Sequence, residues 1–147
     1  MLTGKCLCGG VRFEIDSALG PVIYRHCSMC RRASGSAFAT NASVRADGFR
    51  IVAGRELISE YASSPSSRRR FCSLCGSPLF GSILSHPVIR RVRLGAIDSD
   101  PGARSATHIR IRSKSPWFEI TDHLEHLDEA PPPAYLAPGS MKSQTQE

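Results

Sequence analysis

The chain lacks any long apolar run. Nowhere do its 147 residues approach the roughly 20 apolar residues that a membrane-spanning helix needs, so no membrane partner is expected. It also lacks an apolar stretch behind its first residues, because Met1-Leu2-Thr3-Gly4-Lys5 runs straight into Cys6. No export leader is therefore expected, and the cytoplasm is the expected compartment, where cysteines bind metal or do chemistry rather than staple a secreted fold. Aromatic residues are few, with one Trp, three Tyr and six Phe. A nucleic-acid groove would interleave such rings with arginines, and this interleaving is missing, so nucleic acid is an unlikely fit. Acidic residues are outnumbered, 13 against 19 basic ones, for a net charge of +6. That deficit suits small anionic partners, or simply a solvated basic surface. No internal repeat is visible beyond the cysteine pairs.

What is present is globular: 41% hydrophobic and 22% charged residues, in a chain long enough for one cored domain. Val11 to Ile15 alternates apolar and polar, the period of a half-buried strand. Val22-Ile23-Tyr24, Ala37 to Thr40, Phe49 to Val52, Leu57 to Tyr61, Leu79 to Leu84, Val88 to Leu94 and His108 to Arg112 read as further strands. One short helix is expected from Ser28, its cap, through Arg32, ended by Gly35. Ser63 to Ser67 reads as a loop and Asp98 to Gly102 as a turn. The fold class is all-β or β-rich, a single domain over residues 1–129. Residues 130–147, with Pro131-Pro132-Pro133 and a Ser/Gln-rich end, read as a disordered tail.

Six cysteines carry the chemistry. Cys6-Leu7-Cys8-Gly9 and Cys72-Ser73-Leu74-Cys75-Gly76 form a split clamp, two close-spaced thiolate pairs of the kind that hold Zn²⁺ in a tetrahedron. A glycine after each pair lets the backbone turn under the metal. Four thiolates leave no open position, so this zinc is structural, and it closes a loop of about sixty residues. Cys27 and Cys30 are left for another task.

Three stretches resemble the glutathione-dependent formaldehyde-activating enzyme family. They are Gly4 to Phe13, His26-Cys27-Ser28-Met29-Cys30 through Gly35, and Arg70 to Leu79. Ser115-Pro116-Trp117-Phe118-Glu119-Ile120 followed by Asp122 matches its closing stretch. The similarity covers roughly residues 3 to 128. It implies a β-tent of mainly antiparallel strands around a zinc-bound ribbon, with structural zinc on Cys6, Cys8, Cys72 and Cys75. It implies carbon–sulfur lyase activity, seen in reverse as addition of glutathione to formaldehyde. It also implies a second zinc on a Cys-x-Cys-x-x-Cys motif.

Here the chain departs, because Arg25 stands where that motif begins with cysteine. Two thiolates bind zinc more weakly than three, and a guanidinium repels the cation. In an extended segment Arg25 and Cys27 share one side while Tyr24 and His26 take the other. Arg25 beside Cys27, and Cys30 in the first helical turn, would both favour thiolate. Cys27, Cys30 and Arg25 are thus the candidate catalytic group. Inert thiols, or a weak second zinc completed by His26 or another residue, remain alternatives. So do a non-catalytic module binding an anion and a Cys-x-x-Cys redox dithiol.

Arg31 and Arg32 are candidates for binding the two carboxylates of a glutathione-like ligand. Arg68 to Arg70 read as a solvated basic loop. Arg91 and Arg93 are expected on one strand face and Arg110 and Arg112 on another. His26 is expected to make a structural hydrogen bond, and Trp117 to lie in the core. His86, His108, His123 and His126 show no metal spacing, with His123 and His126 in a possible short helix.

Overall fold

A computed structural model describes residues 1–130. The proposed tail lies, apart from Ala130, outside the described residues. The strands are β1 (Leu2–Lys5), β2 (Arg12–Ile15), β3 (Val22–Arg25), β4 (Ala39–Arg45), β5 (Phe49–Ala53), β6 (Ile58–Ala62), β7 (Ser67–Cys72), β8 (Pro78–Ile83), β9 (Ile89–Arg93), β10 (Ser105–Ile109) and β11 (Glu125–His126). The α-helix α1 (Ser28–Ser34) sits between β3 and β4. No helix among the described residues is long and apolar enough to cross a membrane.

Two sheets form. One has the order β1-β2-β5, the other β11-β10-β3-β4-β9-β8-β7-β6. Pairing is antiparallel except at β3-β10-β11, where it is parallel. In β2, Phe13 and Ile15 are buried while Arg12 is exposed, the alternation of a strand with one face on the core. Phe13 stacks on Phe49 and Phe49 on Phe80, with ring centroids 5.3 and 4.7 Å apart, which joins the two sheets across the core. Gly4 is needed here for space, because a Cβ would come within 2.1 Å of the Phe13 ring.

Register explains how the large sheet divides its faces. Val22 opposes Ala42, and Ala42 and Phe80 both oppose Val92; all four belong to the core. Directly opposed residues share a face. On the other face Arg25 opposes Ala39, Asn41 opposes Arg93, and Gly81 opposes both Arg91 and Arg69. Four arginines on three strands therefore project to one side of the sheet. Arg91 and Arg93 do share a strand face.

Several expectations need correction. α1 is capped at Cys27, which is extended (φ −60, ψ 148) and makes no side-chain cap bond, so Ser28 is the first helical residue rather than the cap. The helix ends at left-handed Gly35 as expected. Strand β4 begins at Ala39, not Ala37. Strand β10 stops at Ile109, because Arg110 adopts φ 58 and Ile111–Ser113 form a 3₁₀ turn. The Arg110 and Ile111 amides bond instead to the carbonyls of Glu129 and Leu127. Arg110 and Arg112 thus leave the sheet and pair with Glu129 and Asp128. Arg68 to Arg70 lie in β7, where Arg70 opposes Glu60 and binds it. His126 lies in β11, drawn beside β10 by the bond from the Leu127 amide to the His108 carbonyl, so no helix pairs it with His123. Trp117 is 71% exposed. Its neighbour Phe118 turns inward against Phe38, with centroids 5.5 Å apart.

Candidate functional site

The clamp assembles where the sequence places it. The β1–β2 turn brings Cys6 and Cys8 against the β7–β8 turn carrying Cys72 and Cys75, and the four sulfurs lie within 4.8 Å of one another. Cys6 and Cys8 Sγ are 3.5 Å apart, and Cys8 and Cys72 Sγ 3.9 Å. Zinc–sulfur bonds of ~2.3 Å require sulfurs about 3.8 Å apart in a tetrahedron, so the donor set fits zinc. Gly9 and Gly76 both take left-handed φ (76 and 75) and return their amides to the carbonyls of Cys6 and Cys72. Other backbone amides stabilise thiolate. Val11 N–H donates to Cys6 Sγ at 3.2 Å, and the amides of Cys8 and Ser77 hold the Cys75 thiol down at about 5.

Cys27 and Cys30 stand apart from the clamp. They are joined as a disulfide across the start of α1, with Cα atoms 5.2 Å apart. Arg25 and Cys30 line one small cavity. The arginine that reaches sulfur is Arg69, its Nη2 3.8 Å from Cys30 Sγ. Arg91, Arg93 and Asn41 also line that cavity, with Arg68, Gly81 and two serines of β7 and β8.

Among the described residues no carboxylate pairs with Arg25, Arg69, Arg91 or Arg93, in contrast to Arg68 and Arg70 on Glu60. Desolvation, reinforced by Arg91, Arg93, Arg110 and Arg69, lowers Arg25 to about 9. Arg93 falls to about 10, and Arg91 and Arg69 also shift down, with burial the first cause in each case. All four remain cationic at neutral pH.

Arg31 and Arg32 lie on α1 and do not line this cavity. Arg31 Nε donates to the His26 carbonyl at 3.3 Å, and Arg32 is exposed. Sequence reasoning missed Arg69, Arg91, Arg93 and Asn41. The alternation of Arg91 and Arg93 was visible, but the convergence depends on cross-strand register.

His26 faces away from the cysteines. Its Nε2 lies 2.7 Å from Nδ1 of His108, whose Nε2 lies 2.9 Å from Asp122 Oδ2. Both imidazoles are buried, among Tyr24, Phe38 and Phe118. His108, Asp122 and His126 bring ligand atoms within 4.8 Å and could hold a metal, a cluster that their spacing in sequence did not signal. Parallel pairing of β10 with β11 creates it.

Burial, and then the charge of His108, lowers His26 to about 4. Its unfolded value is near 6.5, so the unfolded chain binds more protons between pH 6.5 and 4. Stability should fall as pH drops through that window, by about 3 kcal/mol, and change no further from this source below it. Denaturant midpoints at pH 7 and pH 4.5 read this directly, and His26→Gln should flatten the difference.

Comparison with known proteins agrees with this geometry. Residues 1–113 match the family model for the glutathione-dependent formaldehyde-activating enzyme. A curated Halomonas elongata protein, provisionally named a glutathione-dependent formaldehyde-activating enzyme, is 35% identical over 128 residues, covering 82% of this chain and 81% of that one. A crystal structure of a Rhodobacter sphaeroides protein superposes with a TM-score of 0.58 at 27% identity, covering 66% of this chain and 88% of that one. The chain belongs to the glutathione-dependent formaldehyde-activating enzyme family.

Proposed function

We propose that this family member performs sulfur chemistry on a glutathione-type thiol adduct at Cys27 and Cys30, with a structural zinc on Cys6, Cys8, Cys72 and Cys75. The observation that carries the reading is the Cys27–Cys30 pair lying beside guanidiniums that have no carboxylate of their own. Zinc, when bound, supplies folding energy through a closed four-thiolate site. The clamp thiols need a reducing compartment, which favours the cytoplasm.

In the lyase direction the adduct's carbon–sulfur bond breaks. The hydroxyl on the carbon gives its proton to the thiolate of reduced Cys30 as the carbonyl forms, and the adduct's sulfur leaves as thiolate. The leaving thiolate is the charge to be stabilised, and a cation placed in advance does that without reorganisation. Arg25 and Arg69 are proposed to provide it, in place of the metal that the family's motif, with cysteine at the Arg25 position, implies. Arg31 and Arg32, at the rim of the motif, are proposed to meet the ligand's carboxylates.

The disulfide favours a second reading, thiol exchange. A glutathione thiolate attacks one sulfur of the Cys27–Cys30 bond, forms a mixed disulfide, and releases the other sulfur as thiolate.

One assay separates these readings. Glutathione and formaldehyde are mixed with reduced wild-type protein, Cys30→Ser or Cys27→Ser, and adduct formation is followed against the uncatalysed rate. The lyase reading expects acceleration that falls by about 100-fold or more in Cys30→Ser. No acceleration, with a mixed disulfide trapped when oxidised glutathione is added to Cys27→Ser or Cys30→Ser and one glutathione thiolate released, supports exchange. Neither result would leave a zinc-stabilised binding module and overturn both catalytic readings.

A further inference from the structure

We propose that the cavity bounded by β3, β9 and β7 is a binding site for one small oxyanion group, held by Arg25, Arg69, Arg91 and Arg93. The inference goes beyond the sulfur chemistry. It stands on the arginines alone and holds whichever reaction Cys27 and Cys30 perform.

Charge is the first argument. Four guanidiniums from three strands converge on one space, and among the described residues none has an acidic partner. Like charges in a desolvated site repel strongly, and an uncompensated buried charge is among the costliest features a fold can retain. Other arginines near the sheet have acids: Arg68, which also lines the cavity, and Arg70 have Glu60, Arg110 has Glu129 and Arg104 has Asp100, while Arg90 bonds the carbonyls of Pro87 and Ile89. Arg25, Arg69, Arg91 and Arg93 meet in the cavity without an acid of their own among the described residues. The lowered pKa values of Arg25 and Arg93 agree with that cost.

Hydrogen-bonding capacity is the second. Arg93 Nη1 and Asn41 Oδ1 are both buried without a partner among the described residues. Asn41 opposes Arg93 across β4 and β9, so both unsatisfied groups belong to one spot on the wall. Amide oxygen and nitrogen are interchangeable assignments at such a position, and rotating Asn41 presents an NH₂ to an anion. The guanidinium forks match the oxygens of a carboxylate, sulfate or phosphate in pairs.

Size is the third. The cavity offers about 40 Å³, space for about three waters at 10–15 Å³ each. One oxyanion group fits, whereas a nucleotide or a whole tripeptide does not. No aromatic residue lines it, so no ring is stacked there. Gly81, between Arg69 and Arg91 in the register, contributes no side chain, and a Cβ there would meet the Arg68 carbonyl oxygen at 2.9 Å. Cys30 forms part of the wall, so the bound group sits against the sulfur.

The same chemistry could come from a free oxyanion or from the acidic end of a thiol ligand. Calorimetric titration with sodium sulfate and sodium phosphate, against sodium chloride at equal ionic strength, tests the site on the zinc-loaded full chain. Saturable binding of one sulfate or phosphate is expected, weakened about tenfold or more in Arg93→Met and in Arg91→Met. Arg104→Met, on an exposed arginine already paired with Asp100, should keep the response. Circular dichroism and zinc content confirm that each variant is folded, and Arg91→Lys provides a milder change should Met disturb the sheet.

Repeating the sulfate titration with reduced glutathione present separates the two sources. Competition assigns the site to the ligand's carboxylate, and its absence assigns it to a free oxyanion; both support the proposal. Absence of saturable binding by sulfate, phosphate and glutathione alike, or binding unchanged in both Arg93→Met and Arg91→Met, would overturn it. Loss of the adduct reaction with sulfate binding intact would reject the sulfur chemistry and leave this site standing.

Discussion

Cys72→Ser is expected to abolish metal binding and cooperative folding together. Cys72 closes β7, has no exposed surface, and belongs to the main core cluster. Its sulfur faces Cys8 at 3.9 Å, and such contacts, with the Leu7 amide donating to Ser77 Oγ at 2.8 Å, tie the β1–β2 turn to the β7–β8 turn. Removing one thiolate from a closed site releases the metal. Structural zinc is worth roughly 10–16 kcal/mol in small zinc-folded peptides, as much as the entire stability of an ordinary domain, about 5–15 kcal/mol. The serine variant, or wild type stripped with a chelator, should lose its sharp thermal transition. Zinc per chain by elemental analysis supplies the second readout. One zinc is expected in wild type, one in Cys27→Ser and none in Cys72→Ser. Two zincs falling to one on Cys27→Ser would place a metal on the second cysteine pair and reject the reading in which arginine replaces it.

Arg25→Met is expected to stabilise the protein. Arg25 sits on an internal strand of the large sheet, between β10 and β4, with Arg91, Arg93 and Arg69 as the nearest charges along the cavity. Methionine keeps much of the aliphatic length and removes the unpaired charge. Exchanging buried ionic groups for apolar residues of similar volume is often neutral or stabilising, by about 1–4 kcal/mol. The gain should be largest at low ionic strength and without oxyanions, and it should shrink in sulfate, which neutralises the wild-type cluster. Denaturant unfolding of both proteins with and without sulfate measures it. A destabilised Arg25→Met under all conditions would mean that Arg25 is held by favourable contacts and that the cavity carries no strain. Functional sites are commonly less stable than they could be, and this cavity is the place in the chain where that trade is expected.

How much of this was legible beforehand differs from element to element. The cysteine pairs of the clamp were readable because metal ligands act at short spacing and a glycine follows each pair. The short helix after Cys27 was legible from Gly35, and β2 from strict alternation. β1 was not, because Leu2-Thr3-Gly4-Lys5 carries one apolar side chain and becomes a strand only by pairing with β2. His108 to Arg112 alternates well enough to read as one strand, yet Arg110 turns left-handed when β10 meets the Leu127–Glu129 segment. Trp117 was expected inside because it is large and apolar, but the turn from Ser115 to Phe118 admits the second ring and excludes the first.

The sequence by itself determined the clamp, the family and the departure at Arg25, because those depend on residue identity at fixed local spacing. Only tertiary structure decided what surrounds Arg25. The cavity takes Arg25 from β3, Arg91 and Arg93 from β9 and Arg69 from β7, positions as far as 68 residues apart by number. They meet because antiparallel register aligns alternate residues of non-adjacent segments on one sheet face. The same holds for His26, His108 and Asp122, which lie far apart in the chain and touch only where β3 and β10 run side by side. Local spacing cannot encode a meeting that a strand crossing creates.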